Sequence, residues 1–172
     1  MPASKLIKRA VGIFDAVVNY FALFAMLLIL FLVASILYEV VMRYFVGRAE
    51  LWTFEVTEYS LLFITFLATT WLLKEEAHVK MDFVLNRLKP RHQAMLNTVT
   101  SCIGVLMFLT VTGYSARVVW QVTVTGYYLP TVLEILAAPI LVIIPIGAFL
   151  LSMQFLRRAV GFLYSWKNAG ET

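Results

Sequence analysis

The sequence predicts an all-α integral membrane protein: four transmembrane helices plus a short amphipathic interfacial helix between spans two and three. Three observations carry this prediction. The 23 residues between Asp15 and Glu39 hold no charge, and three more such stretches follow. Hydrophobic residues make up 62% of the 172 positions and charged residues 14%, where a soluble domain carries about 25%. The charges sit in short clusters between the apolar runs. A bilayer core is about 30 Å thick, so a helix rising about 1.5 Å per residue crosses it in about 20 apolar residues.

The first span is expected over residues 17–41. Lys5, Lys8 and Arg9 ahead of it resemble a secretory leader. The run exceeds the usual leader length of about 7–15 residues and no A-x-A cleavage site closes it, so a retained helix is expected. The second span covers 51–73, with Glu55 and Glu58 in its opening turns. The third covers 94–116, between Arg91 and Arg117. The fourth covers 135–156, the 22 uncharged residues between Glu134 and Arg157. It carries Pro139, Pro145 and Gly147. Proline removes a backbone donor and bends a helix. A broken membrane helix builds an ion site when a repeat-related break faces it, and the sequence shows no second break. A shape-fitting kink is therefore expected. No Gly/Ser-rich linker, low-complexity tract or repeat interrupts the chain, which reads as one membrane domain over residues 1–172.

Basic residues set the expected orientation. The N-terminal tail, the segment between spans two and three, and the C-terminal tail together hold 11 of the 14 Lys and Arg. The other side has Arg43, Arg48 and Arg117. Positive residues stay in the cytoplasm. Both termini and the middle segment are thus expected to be cytoplasmic, in a bacterial inner membrane. Trp52, Trp120, Tyr127 and Tyr128 near the outer ends, with Trp71 and Trp166 near the inner ones, fit an aromatic belt.

The middle segment reads as more than a connector. Met81, Val84, Leu85 and Leu88 fall on one helical face, and Pro90 limits the helix. An interfacial helix over 79–89 is expected, with an ordinary polar turn as the plainer reading. Lys80, Arg87, Lys89 and Arg91 are candidates for holding phospholipid headgroups, each worth about 1 kcal/mol.

Charges inside spans are costly and often functional, but here they lie near the ends. Glu39 and Arg43 are four apart and share a helix face. Glu55 and Glu58 open the next helix across a short loop, so Arg43 or Arg48 is expected to reach one of them. The resulting cluster reads as structural, since a proton relay needs ionisable groups stepping through the core. His78 lies four residues before Asp82, within hydrogen-bonding reach on a short helix. Two solvated interface residues are the equal alternative. His78 and His92 are the only histidines, and both sit at the inner boundary, so a haem between facing helices is not expected. Cys102 lies in an apolar run with no metal-ligand spacing around it, and a free core cysteine is the default. No nucleophile–base pair, phosphate loop or carboxylate dyad is legible. No enzymatic activity, cofactor, metal or nucleic-acid partner is expected.

Several strings, taken in order, resemble a known family. They are Arg43-Tyr44-Phe45, then Leu51-Trp52-Thr53-Phe54-Glu55, then Glu75-Glu76-Ala77-His78-Val79-Lys80-Met81-Asp82-Phe83, and Ile144-Pro145-Ile146-Gly147. Their order, spacing and four-span layout resemble the small membrane subunit of tripartite ATP-independent periplasmic transporters, over nearly the whole chain. Glu75-Glu76-Ala77 before the histidine and Glu134 before span four depart from that pattern. The resemblance implies a scaffold subunit working with a large transmembrane transport subunit and a periplasmic substrate-binding protein. Such assemblies import organic acids, usually with sodium, and the large subunit holds the substrate and ion sites. The resemblance implies a structural or interface role for Arg43, Trp52, Glu55, His78 and Asp82. Glu39, Glu58, Pro145 and Gly147 join them as structural candidates from the residue reading. The competing readings are a small four-span exporter acting as a dimer and a cofactor-bearing anchor of a redox complex.

Overall fold

The apolar stretches form long helices that alternate in direction. The computed structural model describes residues 2–47, 50–76 and 90–168. Helix α1 spans Pro2–Val41 and continues as a π-helical turn, Met42–Val46. Gly47 follows at φ 71°, a left-handed conformation that glycine adopts without a Cβ penalty and that commonly ends helices. Helix α2 spans Leu51–Glu76, α3 spans Pro90–Thr125, α4 is the short Ala137–Leu141, and α5 spans Ile143–Asn168. Four segments are long and apolar enough to cross a membrane: Val11–Val46, Leu51–Glu75, Met95–Thr125 and Ala137–Leu163. The expected interfacial helix over 79–89, with Lys80, Asp82, Arg87 and Lys89, lies outside the described residues, as does His78.

The helices overrun the expected spans. Helix α1 has 40 residues, about 60 Å of helix, and starts far ahead of residue 17. Helix α3 runs past 116 to Thr125, so Arg117 lies within a helix rather than in the outer loop. A charge does not end a helix; a change in the backbone does. Nothing from 118 to 125 breaks the ladder, and the hydroxyls of Thr123 and Thr125 bond back to the carbonyls of Val119 and Gln121. Gly126, at φ 61°, is where α3 stops. Helix α5 likewise passes 156 and reaches Asn168.

Span four is interrupted near its prolines. Pro145 has no N–H to give the carbonyl of Leu141, and the helix breaks at Val142, between α4 and α5. The ladder holds on either side: Val142 N–H donates to Ala138 O at 3.0 Å and Ile146 N–H to Val142 O at 3.4 Å.

Helix α3 packs along α5, α5 on α2, and α2 on α1. The core where three helices meet is Ala25, Leu67 and Ile143, with Phe21, Phe63 and Phe66 around it. Glycine allows close approach at two places. A Cβ on Gly147 would lie 2.6 Å from the Cβ of Phe66, and one on Gly104 would lie 2.7 Å from the Phe155 ring. That ring stacks on Phe108 with centroids 5.6 Å apart. Lipid gives no hydrophobic drive between helices, so small residues and shape bring them together.

Two further features follow from lipid as solvent. Large apolar side chains such as Leu30, Leu106 and Met107 stay exposed. Cys102, expected in the core, is also on the exposed surface, because an apolar run in a membrane helix has no single inward face. Many hydroxyls are satisfied within their own helix. Ser60 bonds the carbonyl of Val56, Thr65 that of Leu61, Ser101 that of Asn97 and Thr112 that of Phe108, at 2.6–2.7 Å. Bonding back to their own helix keeps these hydroxyls from standing unpaired in hydrocarbon.

Candidate functional site

The polar chemistry collects at the two ends of the bundle. At the end that the basic residues lead one to expect outside, the outer end, the connection between α3 and α4 folds into a narrow loop. Leu129 N–H donates to Ile135 O at 3.0 Å, and Ala137 N–H to Tyr127 O at 3.1 Å. At its tip Glu134 N–H donates to Thr131 O at 3.2 Å, with Glu134 held at φ 43°. This tight turn leaves the N–H groups of Val132 and Leu133 without partners in the loop itself. Both donate to Glu55 at the start of α2, at 2.5 Å to Oε1 and 3.1 Å to Oε2. Tyr59, one turn further along the same face, places its hydroxyl 3.3 Å from Thr131 Oγ1. Glu55 is only 8% exposed. Among the described residues its partners are two amide N–H groups, and no cation pairs with it.

This corrects the expected cluster as far as Arg43 is concerned. Arg43 pairs with Glu39 on its own helix and lies 5.9 Å from the Phe54 ring centroid. Neither Glu55 nor Glu58 pairs with it among the described residues, and Glu58 is exposed. The reason is the rotation of α2. Trp52 faces α1, with its ring centroid 6.0 Å from that of Tyr38 and its indole N–H donating to Glu50 at 2.9 Å. Three residues on, Glu55 points to the side that meets the 126–136 loop. Arg43 stays at the surface, its side chain 53% exposed. Arg48 lies outside the described residues.

At the inner end two contacts tie α1 to its neighbours. Arg157 Nη1 on α5 lies 2.5 Å from Asp15 Oδ1, and Lys74 Nζ on α2 donates to Asn19 Oδ1 at 2.8 Å. Asp15 and Asn19 are one turn apart on α1. Reading by motif missed this clamp. A signal was present: Asp15 opens the first uncharged run and Arg157 closes the last, which puts opposite charges at one membrane depth. The Glu55 contact had no such signal, because its donors are backbone groups.

The remaining candidates do not converge. Pro145 and Gly147 shape α5 and its contact with α2. Arg91 lies in the first turn of α3. Buried side-chain atoms without a hydrogen-bond partner among the described residues include Thr53 Oγ1, near Glu55, and Gln154 Oε1, one turn before Arg157. Among the described residues no group of three His, Cys, Asp or Glu side chains is placed to hold a metal ion.

A family profile matches residues 32–163, described as tripartite ATP-independent periplasmic transporters, DctQ component. The chain belongs to this family. The match takes in the outer hairpin, the Glu55 contact and the interrupted fourth span, and ends inside α5. No curated protein matches the chain. Membership makes the chain the small membrane subunit of a tripartite transporter and implies partnership with a large membrane subunit and a binding protein. The family is a transporter component family, and four apolar helices suit a multi-pass membrane protein.

Proposed function

We propose that the chain is the fixed scaffold subunit of a sodium-driven, binding-protein-dependent importer of organic acids. It sits in the bacterial inner membrane with both termini in the cytoplasm. It carries no substrate or ion site of its own. The large transmembrane subunit moves the substrate, and the periplasmic binding protein delivers it. One observation carries the scaffold reading: every described ionic contact lies at an end of the bundle, at Glu39–Arg43 or at Asp15–Arg157. A translocation path for an anion with sodium needs polar groups stepping through the hydrocarbon region. In this chain the contacts instead hold helices and a loop in fixed positions, as a scaffold requires.

Reconstitution tests the proposal. In proteoliposomes the chain alone should give no uptake. Together with its large subunit and binding protein it should give sodium-dependent accumulation of an organic acid. Uptake by the chain alone refutes the scaffold reading and favours a small independent transporter.

A further inference from the structure

Helices α1 and α2 and the start of α5 enclose an open apolar groove of about 560 Å³. That falls within the ~300–1,000 Å³ typical of ligand sites. Tyr20, Phe24 and Leu27 line it from α1, Phe63 and Leu67 from α2, and Ile143 from α5. The lining itself is apolar, and a charge stands beyond it on α2. Lys74 lies seven residues beyond Leu67 and eleven beyond Phe63, two and three turns along one face of α2. Its ammonium, at the inner end, is bonded to Asn19, the residue before Tyr20.

Charge decides what suits this end. Asn19 is neutral, and among the described residues no carboxylate pairs with Lys74. Asp15 is the one acid in the inner half of α1, and it is committed to Arg157. Glu75 is the next residue on α2, about 100° round the helix from Lys74. An ammonium thus stands on the same face of α2 as Leu67 and Phe63, about two turns beyond the trough, and among the described residues an amide is its partner. From Lys74 to Phe63 is about 16 Å of helix, close to the ~15 Å depth of one leaflet's hydrocarbon.

We infer that this groove binds one anionic phospholipid, its acyl chain lying along Phe63, Leu67 and Leu27 and its phosphate on Lys74. The lipid is a wedge between α1 and α2 at the end of the bundle that Asp15–Arg157 and Lys74–Asn19 tie together. The inference is independent of the transport reading, since it concerns only this chain and its bilayer.

The test is retention of lipid by the full chain, purified in mild detergent and examined by native mass spectrometry. Dioleoyl phosphatidylglycerol, dioleoyl phosphatidylcholine and inorganic phosphate are the added probes. The wild-type chain should retain phosphatidylglycerol in preference to phosphatidylcholine, and inorganic phosphate should not displace it. Lys74→Gln keeps a polar group beside Asn19 but removes the charge. It should lower phosphatidylglycerol retention about fivefold, the worth of one lysine at an anionic surface. Leu27→Trp fills the groove from an already exposed position and should lower retention of both lipids. Arg117→Gln removes a charge at the opposite end and should change nothing. Circular dichroism and the thermal midpoint of each variant establish that it is folded. Unchanged retention in folded Lys74→Gln, an equal loss in Arg117→Gln, or equal retention of the two lipids overturns the inference. Displacement by inorganic phosphate makes the site one for free phosphate. Loss of the lipid on adding the large subunit makes the occupant a partner helix.

Discussion

Replacing Glu55 should release the outer loop from α2. The carboxylate accepts the N–H groups of Val132 and Leu133 at 2.5 and 3.1 Å. Hydrogen bonds to charged groups contribute about 1.5–3 kcal/mol each. Taking the lower figure twice gives about 3 kcal/mol for the pair. Val132 is 64% exposed, so water takes over part of the lost bonding when the acceptor is gone. Removing a buried carboxylate also recovers part of its desolvation cost. About 2 kcal/mol remains for Glu55→Ala, which is roughly a 30-fold change in a local opening equilibrium. Glu55→Gln keeps one acceptor oxygen but turns an NH₂ donor toward the second N–H, so about half that free energy, or a roughly fivefold effect, is expected. Amide hydrogen exchange at Val132 and Leu133, in the detergent-solubilised or nanodisc-embedded chain, reads the opening directly. Protection should fall in the order wild type, Glu55→Gln, Glu55→Ala, while amides in the middle of α3 stay protected. Tyr59→Phe removes only the 3.3 Å contact with Thr131 and should have a much smaller effect. Unchanged protection in Glu55→Ala would refute the pinning. Intact protection with transport abolished in the reconstituted assembly would move Glu55 from scaffold to mechanism.

Gly147→Ala should separate α2 from α5. Its Cβ meets the Phe66 Cβ at 2.6 Å, an atom that moves only with its backbone, so a loss of about 1–3 kcal/mol is expected by unfolding in SDS. Gly104→Ala should cost less, because the Phe155 ring it meets is able to turn. Arg43→Ala should change stability by no more than about 1 kcal/mol, because the arginine is half exposed and pairs within its own helix. A loss of several kcal/mol in the same assay would mean the arginine has a buried carboxylate partner. At the inner end, Asp15→Arg should weaken the contact between α1 and α5, and adding Arg157→Asp should restore it. A double-mutant cycle should give a coupling of about 0–1 kcal/mol, since both side chains are partly solvated.

The sequence alone determined the membrane character and the four spans, because these depend on local composition, and the family, because ordered motifs carry it. A helix in hydrocarbon satisfies its own backbone, so uncharged length is enough to predict it. The break near Pro145 was legible for the same reason: the missing N–H belongs to a named residue. Helix ends were less so. Arg117 and Arg157 marked the expected limits of spans three and four, yet the helices run on, since charges are tolerated at a membrane surface and only backbone breaks such as Gly126 stop the ladder. The pairing of the rim charges was decided by tertiary structure. Glu39 and Arg43 share a helix face, so their spacing predicted their contact. Glu55 was assigned a cation because side-chain charge is what a sequence displays. Its actual partners are two backbone N–H groups 77 and 78 residues away, exposed by the geometry of a turn and invisible in residue types. Asp15 and Arg157, 142 residues apart, meet only because α1 and α5 lie within reach at one depth. That proximity comes from which helix packs on which, a choice made by shapes such as Gly147 against Phe66 when lipid removes the hydrophobic difference between one apolar face and another.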